Sequence, residues 1–149
     1  MESLHRLTRM ATSLFALCLS ACTESTDPWS SVGLRTEVAE ATASAGDIVL
    51  IRAILTNPTT RQISINSQCG PPVLFELRTG SGSSIYPVPL DASFTCELTD
   101  VHILEPGETD TVAVRWRVAA ATGVYEVRSG FVRTGGLQRL SAPVALVIR

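Results

Sequence analysis

The sequence contains no lysine, and aromatic residues make up only 5% of its 149 residues. All 12 basic residues are arginines, which are scattered among 14 acidic residues, and the formal net charge is −2. Nucleic-acid binding requires a clustered basic surface, which this charge pattern does not provide. We therefore expect no nucleic-acid partner, and we interpret the missing lysine as a coding bias.

The motifs of several kinds of active site are also missing. No serine lies in the Gly-x-Ser-x-Gly elbow of a hydrolase, and residues 80–82 lack the lysine of a phosphate-binding loop. His102 is the only histidine outside the first 21 residues, so a zinc site would lack ligands. We predict no catalytic residue, no metal and no cofactor. The alternative is an enzyme with a scattered site that uses His102 as its base.

A long hydrophobic run is absent as well. The apolar stretch at residues 10–19 is too short for a hydrocarbon layer that needs about 20 residues. It follows the basic residues Arg6 and Arg9 and precedes the small residues Ser20 and Ala21. These are the three parts of a secretory signal, so we predict a cleaved signal peptide over residues 1–21.

The run Leu19-Ser20-Ala21-Cys22 closes this signal and resembles the lipobox of bacterial lipoproteins. The resemblance implies that Cys22 carries lipid and becomes the first residue of the mature protein. Such proteins carry two or three acyl chains, which anchor them firmly without a spanning helix. Two alternatives remain, namely lipid on Cys18 and an ordinary secretion signal with an incidental cysteine.

The residue after Cys22 is Thr23 rather than aspartate, which favours the outer membrane of the cell envelope. Residues 22–31 are polar and contain a proline, so we interpret them as the lipidated cysteine and a flexible tether. Trp29 lies within this tether. It either enters the interfacial zone of the membrane, or packs on the domain that follows or starts its first strand.

The chain has four cysteines. Cys18 leaves with the signal and Cys22 is taken by lipid, which leaves Cys69 and Cys96. The oxidising envelope favours disulfides, so we predict a Cys69–Cys96 bridge. The alternative is that they are separate buried thiols, which behave as small apolar residues.

Residues 32–149 show no sustained helical period. Short runs rich in valine, isoleucine, leucine and threonine alternate with glycine and proline, which predicts strands. We expect an all-β fold, an immunoglobulin-like antiparallel β-sandwich of about seven to nine strands. The predicted strands are 32–41, 48–56, 61–67, 73–79, 85–90 (an edge strand), 110–118, 123–133 and 137–148, with 94–104 extended but ambiguous.

Individual positions carry more specific predictions. Trp116 alternates with polar residues, so it is expected in the core. Tyr125, just after Gly123, is placed like the tyrosine corner of immunoglobulin-like folds. Gly135-Gly136 suits a two-residue hairpin turn. The acidic residues Glu105, Glu108 and Asp110 form a solvated turn or, alternatively, a weak calcium site.

Three stretches together resemble domains related to the intracellular proteinase inhibitor (BsuPI-type) family. They are Leu55-Thr56-Asn57-Pro58-Thr59, then Leu104-Glu105-Pro106-Gly107-Glu108 leading to Trp116, and Gly123-Val124-Tyr125-Glu126-Val127. The resemblance covers about residues 34–148 and implies the fold without transferring an inhibitory loop. We therefore expect a lipid-anchored, non-enzymatic module that binds a protein partner or has a structural role, with an inhibitor as a special case. Its candidate surfaces are loops 80–84 and 87–96 and any exposed edge strand.

Overall fold

A computed structural model describes residues 28–67, 70–87, 90, 100–133 and 136–149 of the chain. Cys22, Cys69 and Cys96 lie outside these residues, as do the signal peptide at 1–21 and most of loop 87–96. Lipidation and the disulfide therefore stay predictions. The described part is almost entirely β-structure, preceded by the short 3-10 helix η1 (Pro28–Ser30). Its strands are β1 (Gly33–Val38), β2 (Thr42–Ala43), β3 (Ile48–Thr56), β4 (Ile63–Ser67), β5 (Val73–Thr79), β6 (Ser84–Ile85), β7 (Asp100–Leu104), β8 (Thr109–Arg117), β9 (Gly123–Arg133), β10 (Gly136–Gln138) and β11 (Val144–Ile148).

The strands form two main sheets and a ribbon. The first sheet has the order β1-β3-β8, and the second has the order β2-β11-β9-β5-β6 with β10 also paired to β9. Strands β4 and β7 form an antiparallel pair, here called the β4–β7 ribbon. Every pairing is antiparallel except that of β2 with β11. The chain passes from the first sheet to the second between β1 and β2, because the Ala39 N–H donates to Leu50 O and the Val147 N–H donates to Ala41 O. This arrangement confirms the immunoglobulin-like β-sandwich.

The core lies between the inner faces of the two main sheets. Alternate residues of each strand point inward because side chains alternate across a strand. Trp116 on β8 is buried, which confirms its predicted place in the core. The buried residues of the first sheet include Val49, Ile51, Ala53, Leu55 and Val114, and those of the second include Val73, Phe75, Leu77, Tyr125, Val127, Phe131, Leu146 and Ile148.

Tyr125 forms the predicted tyrosine corner. Its ring is buried near the start of β9, and its hydroxyl donates to the carbonyl of Ala121 at 2.8 Å. The hydrogen bond closes the loop between β8 and β9.

Two predicted elements near the C-terminus are wrong. Residues 137–148 form two strands rather than one, because Arg139 takes a φ of 48°, in the left-handed region. Six steps along the chain from Gln138 to Val144 face only four steps along β9, so the ladder bulges there. Gly136 also pairs with Arg133 and belongs to β10, so Gly135-Gly136 is not the turn. Residues 134 and 135 lie outside the described part.

The folded domain begins before the predicted boundary at residue 32. Trp29 is only 8% exposed, and its ring meets that of Phe131 edge to face, with centroids 4.9 Å apart. The 3-10 helix η1 that carries it packs against β4. Trp29 therefore packs on the domain, as one of the alternatives for this residue predicts, and it lies before the first strand rather than in it.

The strand registers define two ends of the sandwich. At one end, here called the Trp29 end, Gly33 pairs with Thr56, and Val73 pairs with Phe131. At the other, here called the far end, Thr79 pairs with Tyr125. The β4–β7 ribbon joins β3 and β8 at the Trp29 end, where β3 stops and β8 starts. Loop 80–84 lies at the far end.

Candidate functional site

An apolar cleft opens between β5 and β8, on the side where each main sheet nears its edge. Strand β8 is the last strand of the first sheet, and β5 is followed in the second only by the two-residue β6. The cleft has a volume of about 240 Å³. Backbone atoms contribute some polar surface to it, but the side chains that line it are all apolar: Pro71, Val73, Leu74, Phe75, Pro87, Val112, Ala113 and Val114. Such a lining favours binding of an apolar group over acid–base chemistry.

The outer edge of β8 beside this cleft is little used by the described residues. Its inner edge pairs with β3 along the whole strand. On the outer edge, the described part of the chain contributes one backbone hydrogen bond, from the Leu90 N–H to Arg115 O at 2.9 Å. Free backbone groups on an edge can pair with an added strand.

His102, the predicted alternative base, lies on β7 opposite Ile65. Its Nε2 is 2.7 Å from Oδ2 of Asp110, yet this nitrogen makes no aligned hydrogen bond. The contact is therefore an ion-pair approach without hydrogen-bond geometry. Among the described residues, no hydroxyl or thiol is hydrogen-bonded to His102, so the geometry supplies an acid partner but no nucleophile.

The carboxylates of Glu105 and Glu108 in the acidic turn accept hydrogen bonds from within the domain. The Glu105 N–H donates to Oε2 of Glu108 at 2.6 Å, and Nε2 of Gln62 donates to Oε1 of Glu105 at 2.6 Å. Gly107 has a φ of 74°, as the predicted Pro-Gly turn requires. Within the described ranges, no three His, Cys, Asp or Glu residues gather as a metal site would need. The hydrogen bonds favour the turn interpretation over calcium.

Two polar clusters in the interior were not predicted. Asn57 is fully buried between β3 and β4; its Nδ2 donates to Arg61 O at 2.8 Å and to Leu104 O at 2.9 Å. Thr36 Oγ1 lies 2.6 Å from Ser129 Oγ and 2.7 Å from Ser141 Oγ. The first cluster ties the ribbon to the first sheet, and the second ties the two sheets together. The Asn-Pro pair was a local signal for the first, while the second has none, since its residues are far apart in sequence.

Several charged side chains lie on the outer face of the second sheet. Glu76 is buried there and accepts a hydrogen bond from Ser84 Oγ. Beside it, Arg128 donates to Oε2 of Glu126 at 2.7 Å, while the buried Nε of Arg128 has no hydrogen-bond partner among the described residues. The opposite charges are arranged across neighbouring strands, which suits a structural role.

The predicted binding surfaces differ in the groups that they present to a partner. Loop 80–84 is a tight hairpin that satisfies its own polar groups, since the Thr79 N–H donates to Ser83 O and the Gly82 N–H donates to Thr79 O, both at 2.9 Å. Of loop 87–96, the structure describes Pro87, which lines the cleft, and Leu90, which pairs with β8. Apolar side chains are also exposed on the ribbon, at Val101 and Ile103. The structure thus brings part of one predicted loop and one edge strand together at the cleft.

In the described ranges, no helix has the length and apolar character needed to cross a bilayer. No protein-family model matches the sequence, and no curated protein matches it. The resemblance to the BsuPI-type family therefore stays a prediction.

Comparison with solved structures finds similarity to parts of larger proteins. The β-glucosidase EmGH1 from Erythrobacter marinus matches 80% of this chain with a TM-score of 0.51 and 17% identity. The alkylpurine DNA glycosylase AlkC of Pseudomonas fluorescens, bound to DNA containing an abasic site analog, matches 78% with a TM-score of 0.51 and 9% identity. The CARDB domain of the PF1109 protein from Pyrococcus furiosus, in complex with di-metal ions, matches 79% of this chain and 87% of its own length, with a TM-score of 0.45 and 8% identity.

This chain spans only 15% of the β-glucosidase and 30% of the glycosylase. The likeness is therefore to one domain of each larger protein. At these identities it shows the fold alone, an immunoglobulin-like β-sandwich, and assigns no activity.

Proposed function

We propose that this chain is a cell-envelope lipoprotein, held at the membrane by lipid on Cys22, whose β-sandwich is a non-enzymatic module that binds another protein. We further propose that the cleft between β5 and β8 is its contact surface. The observation that carries this proposal is a cleft lined by apolar side chains beside a strand edge on which the described residues make a single backbone hydrogen bond. A partner segment could pair with β8 and place an apolar side chain in the cleft.

The polar groups of the domain support a binding role over catalysis. The carboxylates of the acidic turn, the amide of Asn57 and the hydroxyls around Thr36 are all engaged in holding the fold. None of the cleft's lining residues is titratable. An active site would need a nucleophile or base facing a pocket, as general acid–base and covalent mechanisms require.

The anchor and the binding role call for separate tests. Mass spectrometry of the mature protein should show acyl chains on Cys22, and Cys22→Ser should move the protein out of the membrane fraction. A mature N-terminus that bears no lipid would overturn the anchor. The outer membrane is expected to hold the protein after fractionation, as Thr23 suggests.

The binding role is tested by affinity capture from envelope extract with a matched pair of variants. Ala113→Arg places a long charged side chain at the cleft, while Ala145→Arg makes the same change on β11, at another exposed position. We expect a partner that the wild type and Ala145→Arg retain and Ala113→Arg loses. A partner retained equally by both variants would exclude the cleft. Urea unfolding of each variant checks that the fold is intact.

The alternative function is an extracytoplasmic enzyme that uses His102. The observation that favours it is the 2.7 Å approach of Asp110 to His102, because a carboxylate can orient a histidine base. The purified protein would be assayed against ester, peptide and glycoside substrates. If it turns over a substrate and His102→Ala abolishes that turnover while Asn66→Ala does not, the enzyme is right and the binding module is wrong.

A further inference from the structure

The position of Trp29 limits where the domain can sit above a membrane. Trp29 is buried against Phe131, so the chain is fixed to the domain from this residue onward. Only residues 23–27 separate Cys22 from the start of η1 at Pro28. Fully extended, this stretch spans about 20 Å. A lipid on Cys22 therefore holds the Trp29 end of the sandwich close to the bilayer.

The distance between the two ends of the sandwich is greater than the length of the tether. Strand β9 runs from Gly123 at the far end to Arg133 at the Trp29 end and has 11 residues. At about 3.3 Å per residue it is about 35 Å long. The tether is shorter than this strand, so the domain is expected to stand with its Trp29 end down and its far end away from the membrane.

The β4–β7 ribbon presents two exposed apolar side chains at this same end. Val101 is 50% exposed and Ile103 is 49% exposed. Their register partners Asn66 and Ser64 share that face, where Ser64 Oγ donates to Asn66 Oδ1 at 3.4 Å. The ionisable His102 belongs to the opposite face of β7, where it meets Asp110. Two branched apolar side chains flanked by small polar ones suit the interfacial zone of a bilayer.

We propose that this outer face of the β4–β7 ribbon rests on the membrane surface, with Val101 and Ile103 entering the zone between headgroups and acyl chains. The inference rests on the proposed lipid at Cys22. The membrane is favoured as the occupant because the tether places this end beside it, and because Val101, Ile103 and their partners carry no charge that would need to be desolvated. The next position on this face is Glu105, whose exposed carboxylate accepts a hydrogen bond from Gln62 at the margin of the ribbon. It would fix the orientation of the module and direct the far end toward the aqueous compartment.

The test uses the full lipidated protein in phospholipid nanodiscs that contain a gadolinium-chelating lipid. Methyl resonances of valine and isoleucine report the distance of each side chain from the headgroups. We expect relaxation enhancement several times larger at Val101 and Ile103 than at Val124 and Ile48, which are exposed apolar residues of the far end. Equal enhancement at the two ends, or a larger one at the far end, would overturn the proposal.

A pair of variants separates contact from mere proximity. Replacing Val101 and Ile103 together by serine should lower the enhancement at the backbone amides of β7, whereas Val124→Ser should leave it unchanged. Unchanged enhancement in the double variant would exclude contact through these side chains. A mass spectrum of the same sample distinguishes the two levels of failure. If lipid is present but the relaxation enhancement is not larger at Val101 and Ile103, this orientation alone is rejected. If lipid is absent, the proposed anchor is rejected.

Discussion

The indole of Trp29 and the ring of Phe131 meet edge to face, with centroids 4.9 Å apart and planes at 87°. Aromatic pairs favour this arrangement because the positive edge of one ring meets the negative face of the other. The contact joins the residues just before β1 to the last part of β9. Because of this contact, Trp29, which the sequence places in the tether, belongs to the core.

Trp29→Ala should lower the free energy of unfolding by about 3 kcal/mol, as for other large aromatic truncations in cores. Urea unfolding followed by fluorescence of Trp116 would measure the loss. A shortened chain starting at residue 32 should be destabilised similarly, while one starting at residue 28 should match the longer protein. If both shortened chains are equally stable, residues 28–31 belong to the tether after all.

Asn57 should tolerate no change of its amide. In Asn57→Asp, the donors to Arg61 O and Leu104 O are lost and a carboxylate occupies a fully buried site. Lost donors and a buried charge together should cost about 3 kcal/mol or more. Asn66→Asp makes the same change at an exposed position of β4 and should alter stability by no more than about 0.5 kcal/mol. Similar denaturation midpoints for the two variants would contradict the role assigned to Asn57.

A smaller loss of stability is expected when the tyrosine corner loses its hydroxyl. Tyr125→Phe removes the hydroxyl that donates to Ala121 O while keeping the buried ring. A loss of about 1 kcal/mol is expected, the usual worth of such a hydrogen bond. Tyr86→Phe is the control, because Tyr86 is exposed. Equal midpoints for the two variants in chemical denaturation would show that the corner adds no stability.

Gly130 lies beneath Leu137 and Leu140. A Cβ added there would come within 2.7 Å of Leu140 Cδ2, 3.2 Å of Leu137 Cβ and 3.3 Å of Gln138 O. Gly130→Ala should therefore destabilise the protein by about 1–3 kcal/mol through overpacking. Adding Leu140→Ala should recover part of the loss by removing the closest contact.

The matched control for this change is Gly80→Ala, where an added Cβ meets nothing within 4 Å. Thermal unfolding of the three variants would compare them. Equal melting temperatures for Gly80→Ala and Gly130→Ala would show that the bulge between β10 and β11 is not packed on β9.

The predicted Cys69–Cys96 bridge is open to a direct chemical test. Peptide mapping of the exported protein without reductant should recover a linked pair of peptides. Replacing both cysteines by serine should then lower the free energy of unfolding by about 3.5 kcal/mol, the chain-entropy value for the loop that the bridge closes between residues 69 and 96. Alkylation of both thiols in the native protein would exclude the bridge and favour the separate-thiol alternative.

Strands whose pattern is local could be predicted from the sequence. Ile48–Thr56 and Val73–Thr79 have the predicted bounds, because alternating apolar residues define the inner face of a strand wherever it packs. The Pro106-Gly107 turn was also predictable, since proline and glycine restrict its dihedral angles directly. Trp116 followed from the same alternation.

Long-range pairings could not be predicted in this way. Thr36 meets Ser129 and Ser141 across 93 and 105 positions of the sequence, and each is an ordinary polar residue in its own segment. The split between β10 and β11 lies at a bulge opposite β9, where Arg139 takes a left-handed φ, and the bulge is visible only in the register of both strands with β9. The close approach of His102 to Asp110 likewise requires the ribbon to fold beside β8.

The sequence by itself determined the β class, the inward face of most strands, the main turns, and the motif that implies lipid on Cys22. These depend on side-chain alternation, on restricted backbone angles and on a short processing signal, all of which act over a few residues. Only the tertiary structure decided that Trp29 belongs to the core, that a cleft opens between β5 and β8, and which end of the sandwich carries the tether. Those features depend on which strands become neighbours, and that choice is made by packing of the whole chain around one core.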